Sequence, residues 1–193
     1  MRYGCIEVDP PWKSRNPGGM HGANGGNSIT PTYPRMSLDE LLHWKLPVEP
    51  AEQCHLWLWA TAEHVVFADR VIEAWGFRPV GSMRVWHKKQ PGPGMWFQND
   101  AEFVRLGVLG RQFRRPPAEV KAMLGYFPRA VFVASREGPH STKPDIFYRE
   151  TLAISPGPYI SLFQRFKREG WEGWGNEYDQ NTTEANNAGS RVD

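Results

Sequence analysis

The chain has 193 residues, 40% of them hydrophobic and 13% aromatic, with a formal net charge of +2. Its length suits one packed domain, and the small charge neither requires nor excludes a nucleic-acid partner. Two cysteines provide no disulfide framework or zinc spacing, and no stretch approaches the roughly 20 apolar residues of a membrane-spanning helix. We therefore expect a soluble cytoplasmic protein without a metal site or a membrane partner.

The first predicted element is a short strand over residues 4–8. Pro10 and Pro11 end it, because neither can donate a ladder hydrogen bond. A glycine- and proline-rich loop follows over residues 16–36, long enough to be either functional or disordered. Ser37 and Glu40 then form a capping-box pattern, which predicts a short helix that ends near residue 44.

Strands and helices alternate along the rest of the chain. Strands are predicted at 55–59, 82–86, 102–109, 130–134 and 159–163, and helices at 65–75 and 144–153. A basic, proline-containing excursion occupies residues 111–125, and the composition after about residue 178 predicts a disordered tail over 179–193. The alternation indicates an α/β domain with a mostly parallel sheet.

Asp9-Pro10-Pro11-Trp12 directly follows the first strand, where open parallel sheets bind their ligands. The prolines fix the backbone, so we expect their carbonyls to point in set directions without local N–H partners. The Asp9 carboxylate and a proline carbonyl could then accept both N–H groups of an exocyclic amine, while Trp12 stacks on the base. The alternative is an ordinary turn followed by a core tryptophan.

The same four residues resemble the signature of the DPPW adenine N(6)-methyltransferases. That family includes the catalytic subunit of the eukaryotic mRNA adenosine methyltransferase and many bacterial and phage members. Six further stretches resemble the family's motifs, in the family's order: Tyr33-Pro34-Arg35-Met36-Ser37, Trp86-His87-Lys88, Asn99-Asp100-Ala101-Glu102, Gly107-Val108-Leu109-Gly110, Lys143-Pro144-Asp145 and Gly175-Asn176-Glu177. The resemblance therefore extends from residue 3 to about residue 177.

This resemblance implies a Rossmann-like methyltransferase fold with permuted, beta-class motif order, a domain over residues 1–178, and S-adenosylmethionine as methyl donor. It implies catalysis by Asp9, Pro10, Pro11 and Trp12. It implies cofactor binding by Asp9, Lys143, Arg165, Asn176 and Glu177, and substrate binding by Trp12, Tyr33, Lys88, Asn99 and Glu102. One departure is Ser161, which stands where the family commonly has an acid that contacts the cofactor's ribose.

The basic excursion contains Arg111, Arg114 and Arg115, with Phe113 between them. Cations interleaved with an aromatic ring suit a phosphate backbone and a stacked base, so we assign the three arginines to substrate binding. A solvated loop is the alternative. The glycine-rich loop over residues 16–36 is expected to close over the catalytic strand as a lid.

The sequence thus predicts an S-adenosylmethionine-dependent enzyme that methylates the N(6) amine of adenine in nucleic acid. DNA is preferred, because a compact domain without RNA-binding appendages resembles the bacterial and phage members. The target base must leave any duplex stack to reach Asp9. Two alternatives stay open: an RNA adenosine N(6)-methyltransferase, and a non-catalytic partner subunit that only binds nucleic acid. We expect a monomer or a dimer, with or without a partner subunit.

Overall fold

The computed structural model describes residues 1–14, 34–92, 96–111, 113–135, 142–164 and 167–175. The predicted tail and most of the glycine-rich loop lie outside these ranges. The described strands are β1 (Arg2–Val8), β2 (Glu49–Ala60), β3 (Arg78–Gly92), β4 (Asn99–Leu109), β5 (Val131–Ala134), β6 (Tyr159–Leu162) and β7 (Glu172–Trp174). The described helices are α1 (Leu38–His43), α2 (Ala68–Ala74), α3 (Pro117–Leu124) and α4 (Asp145–Ile154), with a 3₁₀ turn at Val65–Phe67.

The strands form one seven-stranded sheet in the order β5-β3-β4-β2-β1-β6-β7. β1 pairs in parallel with β2 and β6, and the edge strands β5 and β7 also pair in parallel with their neighbours. Among the described strands, only β4 runs antiparallel to the strands beside it. The predicted α/β class with a mostly parallel sheet is confirmed.

The strand order creates a crevice beside β1. From β1 the chain moves to β2 on one side, whereas from β6 it moves to β7 on the other side. Open parallel sheets bind ligands at such a switch point, outside the carboxyl ends of the strands. Asp9 directly follows β1 and Phe163 directly follows β6, so both lie at this carboxyl edge of the sheet. Because β4 is antiparallel, its first residues lie at the carboxyl edge and its last residues at the opposite, amino edge.

Alternation along β1 divides its side chains between the two faces of the sheet. Ile6 and Val8 belong to the hydrophobic cluster that includes residues of α1 and α2. Cys5 belongs to the second cluster, which includes residues of α4 and three buried tryptophans of β2 and β3. Side chains two residues apart on a strand share a face, so Glu7 and Asp9 lie on the Cys5 side.

Local sequence patterns predicted most of the strands and helices. Ser37 caps α1, and its backbone N–H donates to the Glu40 carboxylate at 2.7 Å, which confirms the predicted capping box. The sequence predicted neither α3 nor β7. Helix α3 lies inside the predicted excursion, and β7 has only three residues, too few to show a periodicity. None of the helices in the described ranges is long and apolar enough to cross a membrane.

The Gly-x-x-Gly stretch at the end of β4 has a structural explanation. A Cβ atom at Gly107 would lie 2.5 Å from Cγ2 of Ile72, so the glycine allows α2 to pack closely on the sheet. Gly110 has a φ of +71°, and a Cβ there would lie 1.9 Å from the carbonyl oxygen of Glu52. Only glycine fits such a position without rearrangement.

Candidate active site

The Asp9-Pro10-Pro11-Trp12 turn is held by its own backbone and by the segment before α1. The Pro10 carbonyl accepts the Trp12 N–H at 2.8 Å, and the Pro11 carbonyl accepts the Met36 N–H at 2.8 Å. The expectation that these carbonyls have no local N–H partner is therefore wrong. Each carbonyl oxygen has a second lone pair, so each can still accept one further hydrogen bond.

Trp12 is half-buried and fixed on one ring face. Its indole N–H donates to the Trp59 carbonyl at 2.9 Å, and its ring stacks on His64 with centroids 5.0 Å apart. His64 is itself held, because Nε2 lies 3.1 Å from the Lys13 carbonyl and Nδ1 lies 2.7 Å from the Thr61 hydroxyl. A base that stacks on Trp12 must therefore use the ring face opposite His64.

Four charged side chains from distant segments meet at the carboxyl edge, and we call Asp9, Lys88, Glu102 and Lys143 the carboxyl-edge network. Lys143 Nζ lies 2.7 Å from Asp9 Oδ2 and 2.8 Å from Glu102 Oε2. The second oxygen of Glu102 lies 2.6 Å from Lys88 Nζ. The structure thus brings together residues that were predicted separately for catalysis, cofactor binding and substrate binding.

Burial and pairing oppose each other in this network. Burial disfavours the ammonium form of Lys143, but Asp9 and Glu102 outweigh it and raise the pKa of Lys143 above its ordinary value. Burial also disfavours the Glu102 carboxylate, yet Lys143 and Lys88 hold the pKa of Glu102 below its usual range. Lys143 is therefore protonated and Glu102 ionised at neutral pH. Removing charges from water is costly, and buried charges with perturbed pKa values concentrate at functional sites.

Helix α4 and the segment before β7 position Lys143. Lys143 lies two residues before α4 begins at Asp145. The Arg168 guanidinium donates to the Lys143 carbonyl at 2.8 Å, pairs with the Asp145 carboxylate and lies 3.9 Å from the Tyr148 ring centroid. The free amides and dipole at a helix N-terminus favour a negative group nearby. This corner is therefore suited to an anionic part of a ligand.

A narrow cleft of about 30 Å³ opens beside the network, between β1, β6 and the start of α4. Its lining includes Glu7, Asp9, Lys143, Ser161 and Arg168. That volume accommodates a water molecule or two rather than a whole nucleoside. Chain segments 136–141, 165–166 and 176–193 adjoin this region in sequence and lie outside the described residues.

Glu7 is the buried acid of this cleft. Burial raises the pKa of Glu7 to about 8, although a hydrogen bond from the Ser161 hydroxyl opposes the rise. Ser161, the predicted departure from the family pattern, is the direct register partner of Glu7 across the β1–β6 pair. A carboxyl group is therefore present beside position 161, although it comes from the neighbouring strand.

The other predicted site residues are distributed around the sheet. Asn99 is exposed at the carboxyl edge, three residues before Glu102 on β4. Arg111 follows the end of β4, so Arg111, Arg114 and Arg115 lie towards the amino edge. The β2–β4 pairs Ala60–Phe103 and Cys54–Leu109 are six residues apart, so about 20 Å of strand separates the two edges. The predicted residues outside the described ranges are Tyr33, Arg165, Asn176 and Glu177.

A second charged region lies near the amino edge. Arg84, Arg114, Arg115 and Arg129 line a groove of about 270 Å³ that also has apolar walls, and we call it the arginine groove. Arg84 is buried and pairs with Glu150, but its Nε and Nη1 have no hydrogen-bond partner within the described part of the chain. The groove is therefore lined by more positive than negative side chains, and the two Arg84 donors without a partner are buried.

The sequence did not single out three residues that hold the site together: Glu7, His64 and Arg168. Glu7 had a detectable signal, because it is an acid in an otherwise apolar strand and shares a face with Asp9. His64 and Arg168 had none, since each acts through contacts with residues distant in sequence. Within the described ranges, no group of His, Cys, Asp or Glu is arranged to hold a metal ion.

Comparison with known proteins agrees with this geometry. Residues 3–177 match the model of the MT-A70 family. The type II methyltransferase M.MunI of Mycoplasma sp is 28% identical over 198 aligned positions, which cover 95% of this chain and 81% of that protein. The family match spans nearly the whole domain, including β1, the carboxyl-edge network and the cleft. The chain belongs to the MT-A70 family, as its motifs predicted.

Proposed function

We propose that this protein is an S-adenosylmethionine-dependent methyltransferase of the exocyclic N(6) amine of adenine in nucleic acid, with DNA as the preferred polymer. The observation that carries the proposal is the Asp9–Lys143 ion pair at the switch point of the sheet. It joins an acid suited to hold an amine with a cation suited to hold a cofactor carboxylate. Membership of the MT-A70 family and similarity to a type II methyltransferase support the same chemistry.

The residues of the cleft fit the charged end of S-adenosylmethionine. That end has one carboxylate and two positive centres, the α-ammonium and the sulfonium. Lys143 is the cation for the carboxylate, and Asp9 is the acid for a positive centre. When bound, the cofactor supplies a methyl group on a positively charged sulfur. Arg165, Asn176 and Glu177 remain proposed contacts to its ribose and adenine.

Asp9 and the proline carbonyls are proposed to prepare the adenine amine. The amine is a weak nucleophile, because its lone pair is delocalised into the ring. Asp9 accepts one of its N–H groups, and the remaining lone pair of the Pro10 or Pro11 carbonyl accepts the other. Both bonds favour a pyramidal nitrogen, so the contribution of these residues is orientation and electrostatic placement. The methylated amine is positively charged and acidic, so it passes its extra proton to solvent water and no separate general base is required.

Lys88 and Glu102 are proposed to act on the substrate side as a pair. The Lys88 side chain is only 9% exposed and its Nζ lies 5.2 Å from the Trp86 ring centroid, so it is not placed to reach a phosphate. We assign Lys88 the role of holding Glu102, and Glu102 the role of contacting the target nucleotide. Trp12 stacks on the flipped base, and Tyr33 and Asn99 contact its surroundings.

The three arginines of the excursion are proposed to bind the phosphate backbone away from the flipped base. Arg111 and Arg114 are exposed, and Arg115 lies 5.8 Å from the Phe113 ring centroid. Their distance from Asp9 means that they contact a different part of the polymer from the target adenine. This assignment favours an extended substrate that runs along the protein, rather than a short single-stranded loop.

Methyl transfer from radiolabelled cofactor to matched DNA and RNA oligonucleotides tests the proposal. We expect transfer to adenine-containing DNA and none to DNA in which adenine is absent. A clear preference for RNA would replace DNA with the first alternative. If the protein bound oligonucleotides but transferred no methyl group to either polymer, the non-catalytic partner subunit would be the correct function.

A further inference from the structure

Glu7 is a buried acid with no role in the function proposed so far. It lies on β1 two residues before Asp9, faces the same side of the sheet and lines the same cleft. Its exposed fraction is 1%, whereas an acid is rarely so deeply buried unless it is paired. Glu7 therefore calls for a specific physical explanation.

Among the described residues, only one of the two carboxyl oxygens of Glu7 has a hydrogen-bond partner. Oε2 accepts from the Ser161 hydroxyl on β6. Oε1 has no partner within the described part of the chain. A buried acceptor without a donor destabilises the fold, and such groups in native proteins usually meet a ligand, a water or an ion. The cleft that Glu7 lines is where such a donor would arrive.

The surroundings of Glu7 suit a donor that belongs to a polar ligand. Lys143 and Arg168 lie close enough to favour its charged form, whereas burial and the nearby Asp9 favour the neutral form. This balance leaves a carboxyl group that can become charged when a further donor contacts it. A purely structural acid would be expected to have both oxygens bonded within the fold.

We propose that Glu7 is a further cofactor-binding residue, whose free Oε1 accepts a hydrogen bond from S-adenosylmethionine. The donor is either the α-ammonium or a ribose hydroxyl, because both are N–H or O–H donors carried by the same ligand. This inference rests on the proposed function, since it requires that an N–H or O–H group of this cofactor enter the cleft. It adds a cofactor contact from β1, two residues before Asp9, which is proposed to hold the amine.

Calorimetric binding of two ligands to the wild type and to Glu7→Gln tests the inference. S-adenosylhomocysteine carries both donors, whereas 5′-methylthioadenosine carries only the ribose hydroxyls. We expect Glu7→Gln to bind S-adenosylhomocysteine about tenfold more weakly, because its neutral amide oxygen is a weaker acceptor than a carboxylate oxygen. Equal weakening for both ligands identifies a ribose hydroxyl as the donor, and weakening for S-adenosylhomocysteine alone identifies the α-ammonium.

The second variant moves the carboxyl group from β1 to the neighbouring strand β6. Glu7 and Ser161 are register partners, so Glu7→Ser combined with Ser161→Glu returns a carboxyl group to the same level of the sheet. We expect this double variant to bind S-adenosylhomocysteine more tightly than Glu7→Ser alone. Thermal unfolding of each variant shows whether it is folded before its affinity is compared.

The outcomes separate this inference from the function on which it rests. If the wild type binds both ligands and neither Glu7→Gln nor Glu7→Ser weakens their binding, the inference is overturned and the proposed function stands. If the wild type binds neither ligand, the proposed function fails and the inference fails with it.

Discussion

The two charged regions of the sheet, the carboxyl-edge network and the arginine groove, are constructed in opposite ways. In the network, two lysines and two acids pair at 2.6–2.8 Å, and the lysine side chains are only 6% and 9% exposed. In the groove, four arginines outnumber the acids that pair with them, Glu150 and Glu119. The charges of the first region are balanced and paired, whereas the second region has more positive than negative side chains.

We propose that the two regions have different functions. Preorganised, paired charges suit a reaction that needs fixed orientation, because such groups need little rearrangement when the substrate arrives. Excess arginine suits the binding of a polyanion, where the gain comes from contact with many phosphates. We therefore expect changes in the network to affect turnover and cofactor affinity, and changes near the groove to affect nucleic-acid affinity alone.

Asp9→Ala should have the largest effect. Without the carboxylate the amine loses an acceptor and its orientation, so we expect methyl transfer under single-turnover conditions to fall by at least about 100-fold. Cofactor affinity should change far less, as measured by calorimetry. Asp100→Ala is the matched control, because Asp100 is an exposed acid at the same edge of the sheet. Wild-type turnover by Asp9→Ala would show that Asp9 does not contribute to catalysis.

Lys143→Met should weaken cofactor binding by about 30-fold or more, because truncating one partner of a buried charge pair costs a few kcal/mol. It also leaves Asp9 and Glu102 without their shared cation, so thermal unfolding must show that the variant is folded. Lys89→Met serves as control, since Lys89 is exposed on β3. Unchanged affinity for S-adenosylhomocysteine in a folded Lys143→Met protein would contradict the assignment.

The triple variant Arg111→Ala, Arg114→Ala and Arg115→Ala tests the region proposed to bind nucleic acid. We expect DNA affinity to fall about tenfold at moderate salt, and the salt dependence of binding to become shallower by about one for each phosphate that no longer meets an arginine. Affinity for S-adenosylhomocysteine should not change. Arg70→Ala, an exposed arginine on α2, is the control. Loss of cofactor binding in the triple variant would show that the two regions are not independent.

The smallest effect concerns stability and pH. The pKa of Glu7 is about 8 in the fold, above its ordinary value of 4.5, so the folded chain keeps this proton when the unfolded chain has lost it. Stability should therefore fall as the pH rises from about 5 to 8, by about 1 kcal/mol between pH 6 and 7. The groups that face Glu7 are Asp9, Lys143, Tyr148, Ser161 and Arg168.

Urea unfolding of the cofactor-free wild type and of Glu7→Gln across this pH range measures the effect. The difference between the two proteins isolates Glu7 from the remaining titrating groups. A difference that stayed constant with pH would show that Glu7 does not carry a raised pKa.

The sequence predicted the parts of the fold that depend on local signals. Residues 2–8 form a strand that prolines end, Ser37 caps a helix, and the alternation of strands and helices indicated the α/β class. Helix α3 was not predicted because its segment is rich in charged residues and prolines. Only one of its residues, Val120, is buried, so the sequence shows no helical repeat of apolar residues. Strand β7 was missed because three residues show no pattern.

The sequence motifs identified the four residues of the carboxyl-edge network but not the contacts between them. Motifs named Asp9, Lys88, Glu102 and Lys143 one at a time, but their ion pairs depend on contacts between residues up to 134 positions apart. The antiparallel direction of β4 was also not predictable from local pattern. That direction places Glu102 at the same edge of the sheet as Asp9 and places Arg111 at the opposite edge.

The identity of the methylated nucleoside tests the central claim most directly. DNA incubated with the wild-type protein and S-adenosylmethionine is digested to nucleosides, which are then separated and identified by mass spectrometry. The account predicts N(6)-methyldeoxyadenosine with the wild type and almost none with Asp9→Ala. Methyl groups found only on cytosine, or equal N(6)-methyldeoxyadenosine from both proteins, would contradict it.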